Sequence, residues 1–538
     1  MALTNSIFWR VRSGGNNANG AGYDSATSGA LATTLTGALT SGATTMTVAS
    51  ATGWPASGNY YVQIGAAGAE PSGGGSEIVL VTSGQGTTTW TITRAQLGTS
   101  ALAAASGIAV TNELSRCNTA PWSGSTGTST ASTTFTAAAA GFNETVVGNV
   151  LYLASGTGAT VGAYIVTGYT NSTTITLDRA SGTYTLGVWK IGGAWADPAT
   201  RGSLPLAGNT VFIRAGGSGT VASPDYSSGY PAYANGDSTN GQMRIVGENG
   251  RPVISCTNPA FTFGCSFTYI DNLYLFRSNT GSVGLISGNG VVKNCVFDLN
   301  GQDKLLIEWS GACVNCEFLS STANFGAAGT GYAIVQSTYG LTLESCNIHD
   351  LWGNCIQTTS GYFTDIMNCL ITNNKGTAVY IQNGSAQTPA FVKNCTISGN
   401  GADGIYVANA GSLAGLVIQN CIIANQTGSG KYGIKTGSGT TASNDRMRGI
   451  IGNNWYYNNT ADALNLTVGE TYGDSTGVDP GFVSTSVENY GITGTSVGWA
   501  AYTFMNNKSG TTPPRSYFNP GAVMSNPSGG SSTIIVGL

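Results

Sequence analysis

One short motif recurs through the middle of the chain and constrains its fold more than any other feature. An apolar run is followed by Asn, then Cys, then two or three mostly apolar residues. It reads Val292-Lys293-Asn294-Cys295-Val296-Phe297 and returns as Val314-Asn315-Cys316-Glu317-Phe318 and Leu343-Glu344-Ser345-Cys346-Asn347-Ile348. Three more copies are Asp365-Ile366-Met367-Asn368-Cys369-Leu370-Ile371, Val392-Lys393-Asn394-Cys395-Thr396-Ile397 and Ile418-Gln419-Asn420-Cys421-Ile422-Ile423. Asn272-Leu273-Tyr274-Leu275 reads as an earlier copy without Cys, and Asn454-Trp455-Tyr456 as a later one. The steps between successive motif Cys residues are 21, 30, 23, 26 and 26 residues. Most steps carry a second strand-like run midway, such as Gly376-Thr377-Ala378-Val379-Tyr380-Ile381, Gly404-Ile405-Tyr406-Val407 and Gly433-Ile434-Lys435.

A unit this short cannot bury its own apolar face, whereas stacked units can. The spacing predicts a coil in which each strand pairs in parallel with its equivalent one turn on, at ~4.8 Å. Like residues then lie on like. Cys on Cys fills a narrow interior column, and Asn on Asn forms an amide ladder at the turn. Propeller blades recur at ~40–50 residues, too long for these steps. A helical solenoid would need a 3.6-residue period, which is absent.

Composition agrees. Charged residues are 9% of the chain, against ~25% in ordinary domains. There are 79 Gly in 538 residues, so tight turns joining short strands are expected rather than long helices. The net charge is −4 with no basic stripe, which argues against a nucleic-acid partner. No apolar stretch reaches the ~18 residues of a membrane-spanning helix. The opening residues Met1-Ala2-Leu3-Thr4-Asn5-Ser6 lack the pattern of a signal peptide, so synthesis in a cytoplasm without signal-directed export is expected. The eleven Cys are expected as buried free thiols, because an intracellular Cys behaves as a small hydrophobe. His349 is the only His, which argues against a zinc or Ser-His-Asp site.

From about residue 265 to 460, the Asn-Cys ladder resembles the right-handed parallel β-helix proteins of the pectate-lyase-like superfamily. Val211-Phe212-Ile213-Arg214 and Arg244-Ile245-Val246-Gly247 are similar to the first coils of such a helix, and Val478-Asp479-Pro480-Gly481-Phe482 to the segment after its last. The fold class expected is all-β, with small N-terminal β domains before the β-helix. Strands around Thr44–Val48, Tyr60–Ile64, Glu77–Thr82 and Thr89–Arg94 set residues 36–112 apart as an inserted module. Its ending, from Thr93-Arg94-Ala95-Gln96-Leu97-Gly98-Thr99 to Gly107-Ile108-Ala109-Val110, resembles a module of phage tail and baseplate-associated proteins, with Ala95 where that pattern has Gly. The flanks, 1–35 and 113–200, read as two halves of one discontinuous domain. Their Phe8-Trp9-Arg10-Val11-Arg12 opening and Thr174-Ile175-Thr176-Leu177-Asp178-Arg179 strand resemble the N-terminal part of many phage β-helix proteins. The remaining assignments are β-helix over 201–484 and a capping or oligomerisation segment over 485–538.

The resemblance implies a structural component of a phage particle: a tail fibre, tailspike or neck/head appendage, located in the virion and assembled in the host cytoplasm. Its partners would be other virion proteins and host surface glycans, and it would be a homotrimer without membrane insertion. The alternatives are a polysaccharide depolymerase and a non-catalytic glycan-binding adhesin.

A depolymerase would need paired carboxylates or clustered Asp for Ca²⁺. Asp298 and Asp350 would lie two coils apart, ~10 Å, at or beyond the edge of the ~6.5–9.5 Å used by inverting glycosidases. His349 and the Gln302-Asp303-Lys304 loop with Glu308 are weaker candidates, read as turn residues. Trp309, Tyr332, Trp352, Tyr362, Tyr380 and Tyr406 could stack on sugars if they face outward, and Tyr380 and Tyr406 match in successive coils. No residue set stands out as a catalytic, cofactor-binding or metal site. A non-enzymatic role without cofactors is the expectation.

Overall fold

The computed structural model describes residues 7–492 except 25–30, 66–75, 98, 113–118, 199–204, 206, 217–218, 228–234, 249, 257–264, 279–284, 302–306, 322–333, 359–361, 383–388, 409–415, 427–429, 438–449, 453, 465–470, 473–474, 477–481 and 485–488. It divides into two compact units, Met1–Ile254 and Ser255–Leu538.

In the second unit the repeat becomes a coil of short strands arranged in three parallel stacks. The leading stack holds the strands before each Asn-Cys turn. It includes Ile286–Lys293, Ile307–Val314, Ile334–Glu344, Thr364–Met367, Ala390–Lys393 and Leu416–Gln419, each paired in parallel with the next. The following stack holds the strands just after the turn, from Tyr274–Arg277 through Val296–Asp298, Glu317–Leu319, Asn347–His349, Leu370–Thr372, Thr396–Ser398 and Ile422–Ala424 to Trp455–Tyr457. The return stack is Ile356–Thr358, Val379–Ile381, Ile405–Val407, Tyr432–Thr436 and Ala461–Leu464. Side chains alternate inward and outward along each strand. The inward ones stack on their equivalents: Phe297 lies on Phe318 with ring centroids 5.2 Å apart, and fully buried Ile348, Ile371, Ile397 and Ile423 continue that column.

The residue before the motif Cys makes the bend, Asn in most copies and Ser345, with φ 56°, in one. Asn272, Asn294, Asn315, Asn368, Asn394 and Asn420 have φ between 52° and 59°, a left-handed conformation that Asn adopts more readily than any residue with a Cβ except its close polar relatives. The side chains bond along the stack, with Asn315 Nδ2 donating to Asn294 Oδ1 at 2.7 Å and Asn420 Nδ2 to Asn394 Oδ1 at 3.3 Å. Each following Cys points inward and is free among the described residues. Its thiol finds a carbonyl: Cys369 Sγ approaches Met367 O at 3.2 Å and Leu343 O, one coil away, at 3.7 Å. Asn454 takes the register of Cys421, not of Asn420, and its Nδ2 donates to Ile418 O at 3.1 Å.

A second left-handed bend closes most following strands, at Asn300, Asp350, Asn373, Asn425 and Asn458 with φ between 49° and 56°, and at Gly399 with φ 69°. Behind it runs a buried amide column. Asn374 Nδ2 donates to Asn400 Oδ1 at 2.9 Å, and Gln426 Nε2 donates to Ile397 O at 3.2 Å. In the early coils, Gly290 and Gly311 sit where a Cβ would meet the carbonyl oxygens of Thr268 and Gly290 at 2.0 and 2.2 Å. Past the coil, Phe482–Ser484 pairs antiparallel with Asn489–Ile492. Residues 493–538, with Tyr502–Met505 and Ser532–Val536, lie outside the described residues.

The first unit contains two antiparallel bodies. Trp122–Thr130, Thr134–Ala137, Val150–Ser155, Gly162–Asn171, Thr174–Leu177 and Thr183–Ile191 close into a barrel around Phe135, Leu151, Tyr164 and Trp189. A six-stranded sheet has Ala32–Thr34 and Thr45–Thr47 as its edges, packed on Trp54, Tyr60 and Trp90. There Arg94 donates Nε to Glu77 Oε1 at 2.8 Å and pairs bidentately with that buried carboxylate. Its Nη1 donates to Thr40 O and Nη2 to Leu102 O, so one guanidinium ties three segments together.

The opening strand has neighbours in two places. Ile7–Val11 pairs in parallel with Thr210–Arg214, which pairs with Met243–Glu248. It therefore joins a coil-like parallel stack and is not one of the barrel strands. Trp9 and Val11 are fully buried and align with the apolar Val211 and Ile213. The strand itself and the residues just beyond it also meet the end of the 113–200 segment, with Val11 bridging Trp195 in parallel. Arg12 N donates to Trp195 O at 2.7 Å, Asn19 Nδ2 donates to Ala194 O at 2.7 Å, and Trp9 stacks on Trp195 at 5.0 Å.

Candidate functional site

The acidic candidates are held by turns. Asp298 is fully buried. Its Oδ1 accepts from Asn300 N and Ser321 N at 2.7 and 2.8 Å, and its Oδ2 from the Tyr274 hydroxyl at 2.8 Å. The carboxylate thus ties its own coil to the coils on either side. Register puts Asp298 opposite Leu319, and His349 one coil further on. Asp350 follows at the second bend with φ 55°. Two coil spacings, ~10 Å, separate this region from Asp298, with Leu319 between them in the stack. The two carboxylates do not face one another across a groove.

Asp350 has its own partners, with Oδ1 accepting from Asn373 Nδ2 at 2.5 Å and Oδ2 lying 2.8 Å from His349 Nδ1. The other ring nitrogen of His349 lies 3.1 Å from Glu317 Oε1. Burial of the ring opposes its protonation. The hydrogen bonds to Asp350 and Glu317, reinforced by their charges, outweigh that and raise the His349 pKa from 6.5 to about 9. At neutral pH the ring is an imidazolium, which has no lone pair with which to act as a general base. Asp303 lies outside the described residues, and only the backbone position of Glu308 is described. Among the described residues, no group of three or more His, Cys, Asp or Glu could hold a metal ion.

The aromatic candidates separate by facing. Trp309 is fully buried and belongs to the core, because its strand turns that position inward. Tyr332 lies outside the described residues, and Trp352 is half-buried. Tyr362 is 39% exposed. Tyr380 and Tyr406 are register partners on the outward face of the return stack, because buried Val379, Ile381, Ile405 and Val407 take the inward positions. Their rings meet edge to face at 5.4 Å.

Register extends that column to Gln357 on one side and Lys435 on the other. The Lys435 ammonium lies 5.1 Å from the Tyr406 ring, 5.7 Å from the Tyr432 ring and 3.6 Å from an Asp403 carboxylate oxygen. Four outward positions thus present an amide, two phenols and an ammonium over ~14 Å. Such a strip can stack on the C–H face of a sugar ring and exchange hydrogen bonds with its hydroxyls. Sequence reasoning found the two Tyr and missed Gln357 and Lys435. Aligning Gly433-Ile434-Lys435 with Gly404-Ile405-Tyr406 would have placed Lys435 in the column.

With this geometry in place, the coil has a class. Residues 260–412 match the family model described as "Right handed beta helix region", and the chain is an all-β protein built on a right-handed parallel β-helix. Among solved structures it is similar to the pectate lyase Pel9A, at 12% identity over 55% of this chain and 79% of that one, TM-score 0.37. It is also similar to the mannuronan C-5 epimerase AlgE6 A-module of Azotobacter vinelandii, at 14% identity over 53% and 87%, TM-score 0.30. A third is the tailspike protein gp49 from Pseudomonas phage LKA1, at 12% identity over 67% and 64%, TM-score 0.20. These likenesses concern the fold alone. No curated protein sequence matches the chain.

Proposed function

We propose that the chain is a structural, non-enzymatic component of a phage particle, whose N-terminal part docks to the virion and whose β-helix meets the host surface. The carrying observation is how the polar groups of the coil are used. Asp298, Asp350 and Asp403 each hydrogen-bond or ion-pair with groups of adjacent coils, while the outward Tyr380–Tyr406 column carries no carboxylate pair. Acids spent on joining coils suit a stiff scaffold. Phage origin rests on the resemblance of the Trp9-Arg10-Val11-Arg12 opening and of the Thr89–Val110 segment. In this reading the protein is a homotrimer, as such appendages usually are.

Two measurements test it. An antibody to the chain should label particles purified from lysates of the source phage, and chain found only in the particle-free supernatant would overturn the virion assignment. Purified protein incubated with host surface polysaccharide should leave its size distribution unchanged by chromatography. A shortened polymer would favour a depolymerase, and loss of cutting in an Asp298→Asn/Asp350→Asn variant would place the chemistry on those acids.

A further inference from the structure

Eight Asn residues of the chain are followed directly by Gly, and of these Asn249 and Asn383 lie outside the described residues. An Asn-Gly pair can react with itself. The main-chain nitrogen of the Gly attacks the side-chain carbonyl carbon of the Asn, a C–N bond closes a five-membered imide, and ammonia leaves. Water then opens the ring and leaves aspartate or isoaspartate in place of Asn. One amide and one water become one carboxylic acid and one ammonia, and nothing is oxidised or reduced. Gly favours the attack because no Cβ crowds its nitrogen and its backbone is free to turn. A hydrogen bond that occupies the attacking N–H, or that fixes the Asn amide, opposes it.

Five of the six described pairs are held in this way. Asn19 is buried, its Nδ2 donates to Ala194 O, and Gly20 N donates to Gly192 O at 3.0 Å. Asn240 is exposed, but its Nδ2 donates to Asp237 Oδ2 at 2.9 Å and Gly241 N donates to Asp237 O at 2.9 Å. In the coil, Asn289 Oδ1 accepts from Phe267 N at 3.0 Å, and Gly290 lies within the paired strand Ile286–Lys293. Asn300 Nδ2 donates to Arg277 O at 3.0 Å and Gly301 N to Ser320 Oγ at 2.8 Å. Asn400 is fully buried in the amide column, with Nδ2 donating to Ile371 O at 3.2 Å and Gly401 N to Asn374 O at 2.7 Å.

Asn235 differs. It is exposed and lies outside any strand. Among the described residues, neither its side chain nor Gly236 N makes a hydrogen bond. We propose that Asn235 is a site of spontaneous deamidation, where the chain ages chemically while the other five pairs persist. The carboxylate formed there stands two residues from Asp237, so this segment gains a second negative charge. The inference goes beyond the virion reading and does not rest on it. In a protein that outlasts its synthesis, the modified fraction records elapsed time.

The test is to hold the full chain at mildly alkaline pH and body temperature, digest samples taken at intervals, and follow each Asn-Gly peptide by mass spectrometry. The mass gained when NH₂ is replaced by OH marks the product, and its separation into Asp and isoAsp forms marks the imide route. Asn235 should be modified about tenfold or more faster than each of the five held pairs, equivalent to about 1.4 kcal/mol. In urea that unfolds the chain, the six rates should converge. Asp237→Ala removes the acceptor of the Asn240 amide and should raise the rate at Asn240 but not at Asn400. A native rate at Asn235 no higher than at the held pairs would overturn the proposal. A spread of rates that survives in urea would also overturn it, because local sequence and not the fold would then set the difference. An unchanged rate at Asn240 in Asp237→Ala would overturn the hydrogen bonds as its cause.

Discussion

At the scale of single residues, the backbone conformation explains choices that composition alone leaves arbitrary. Ala95 has φ 54°, a left-handed conformation that costs a residue with a Cβ ~1–2 kcal/mol. This is the position at which the resembled phage module carries Gly. Ala95→Gly is expected to stabilise the protein by about 0.5–1 kcal/mol, after the greater freedom of Gly in the unfolded chain is set against the relieved strain. A shift of the urea midpoint to lower concentration would contradict this.

The same logic separates two roles of Asn394, which has φ 54° and accepts from Asn420. Both Asn394→Gly and Asn394→Ala lose the amide ladder, but only the Ala variant adds strain. Ala should therefore be the less stable by about 0.5–1 kcal/mol.

His349 carries a pH dependence whose direction follows from its raised pKa. A group with a folded pKa of about 9 against an ordinary 6.5 binds its proton more tightly when folded. The resulting stability is fully present below pH ~6.5 and is lost as pH rises through ~9. Comparing urea midpoints of the native protein and His349→Gln from pH 6 to 10 isolates this contribution. The difference between them should shrink across that interval, and a constant difference would show that His349 does not supply it.

At the scale of elements, the Asn-Cys turn was legible because most copies repeat the residue types that the geometry requires, a left-handed Asn and then an inward Cys, with Ser345 standing for Asn in one copy. The second bend was not legible. Its residue varies among Asn300, Asp350, Asn373 and Gly399, all of which tolerate positive φ, so no single residue type marks a position that lies four residues after the motif Cys in every one of these coils but that of Asn300. Asn454 was misread for a related reason: an Asn in the Cys register makes a carbonyl contact like the thiol's, so residue type alone does not give its position. The parallel pairing of Ile7–Val11 with Thr210–Arg214 spans too much sequence to leave a local signature.

Among the candidate site residues, the matching spacing of Tyr380 and Tyr406 was readable, but the fate of Asp298 was not. Its partners Tyr274 and Ser321 come from other coils. The element-scale prediction concerns the inward column. Ile397 is fully buried between Ile371 and Ile423, so Ile397→Ala should cost ~2–5 kcal/mol by chemical denaturation. The outward Phe391→Ala should cost less.

At the scale of the whole molecule, the thiols report on the integrity of the coil. Burial raises the pKa of Cys256 to about 12, and those of Cys313, Cys316, Cys346, Cys369 and Cys395 well above the ordinary value. A shielded thiol that stays protonated is a poor nucleophile. These cysteines should resist a thiol-reactive dye in the native protein and react together as the β-helix unfolds. Rapid labelling of several of them in the native state would mean that the coil opens locally far more often than a continuous stack should.

The ladder of like on like also bears on how such a chain can change in length. Every coil between Cys369 and Cys421 offers the same groups to the coil on either side: Asn to Asn at the bend, Cys to Cys within it, Ile to Ile in the following column. A coil cut out whole therefore leaves two surfaces that already fit. Genetic gain or loss of complete turns becomes a conservative change, in which reach is adjusted in steps of ~4.8 Å while the ends and their partners stay as they were.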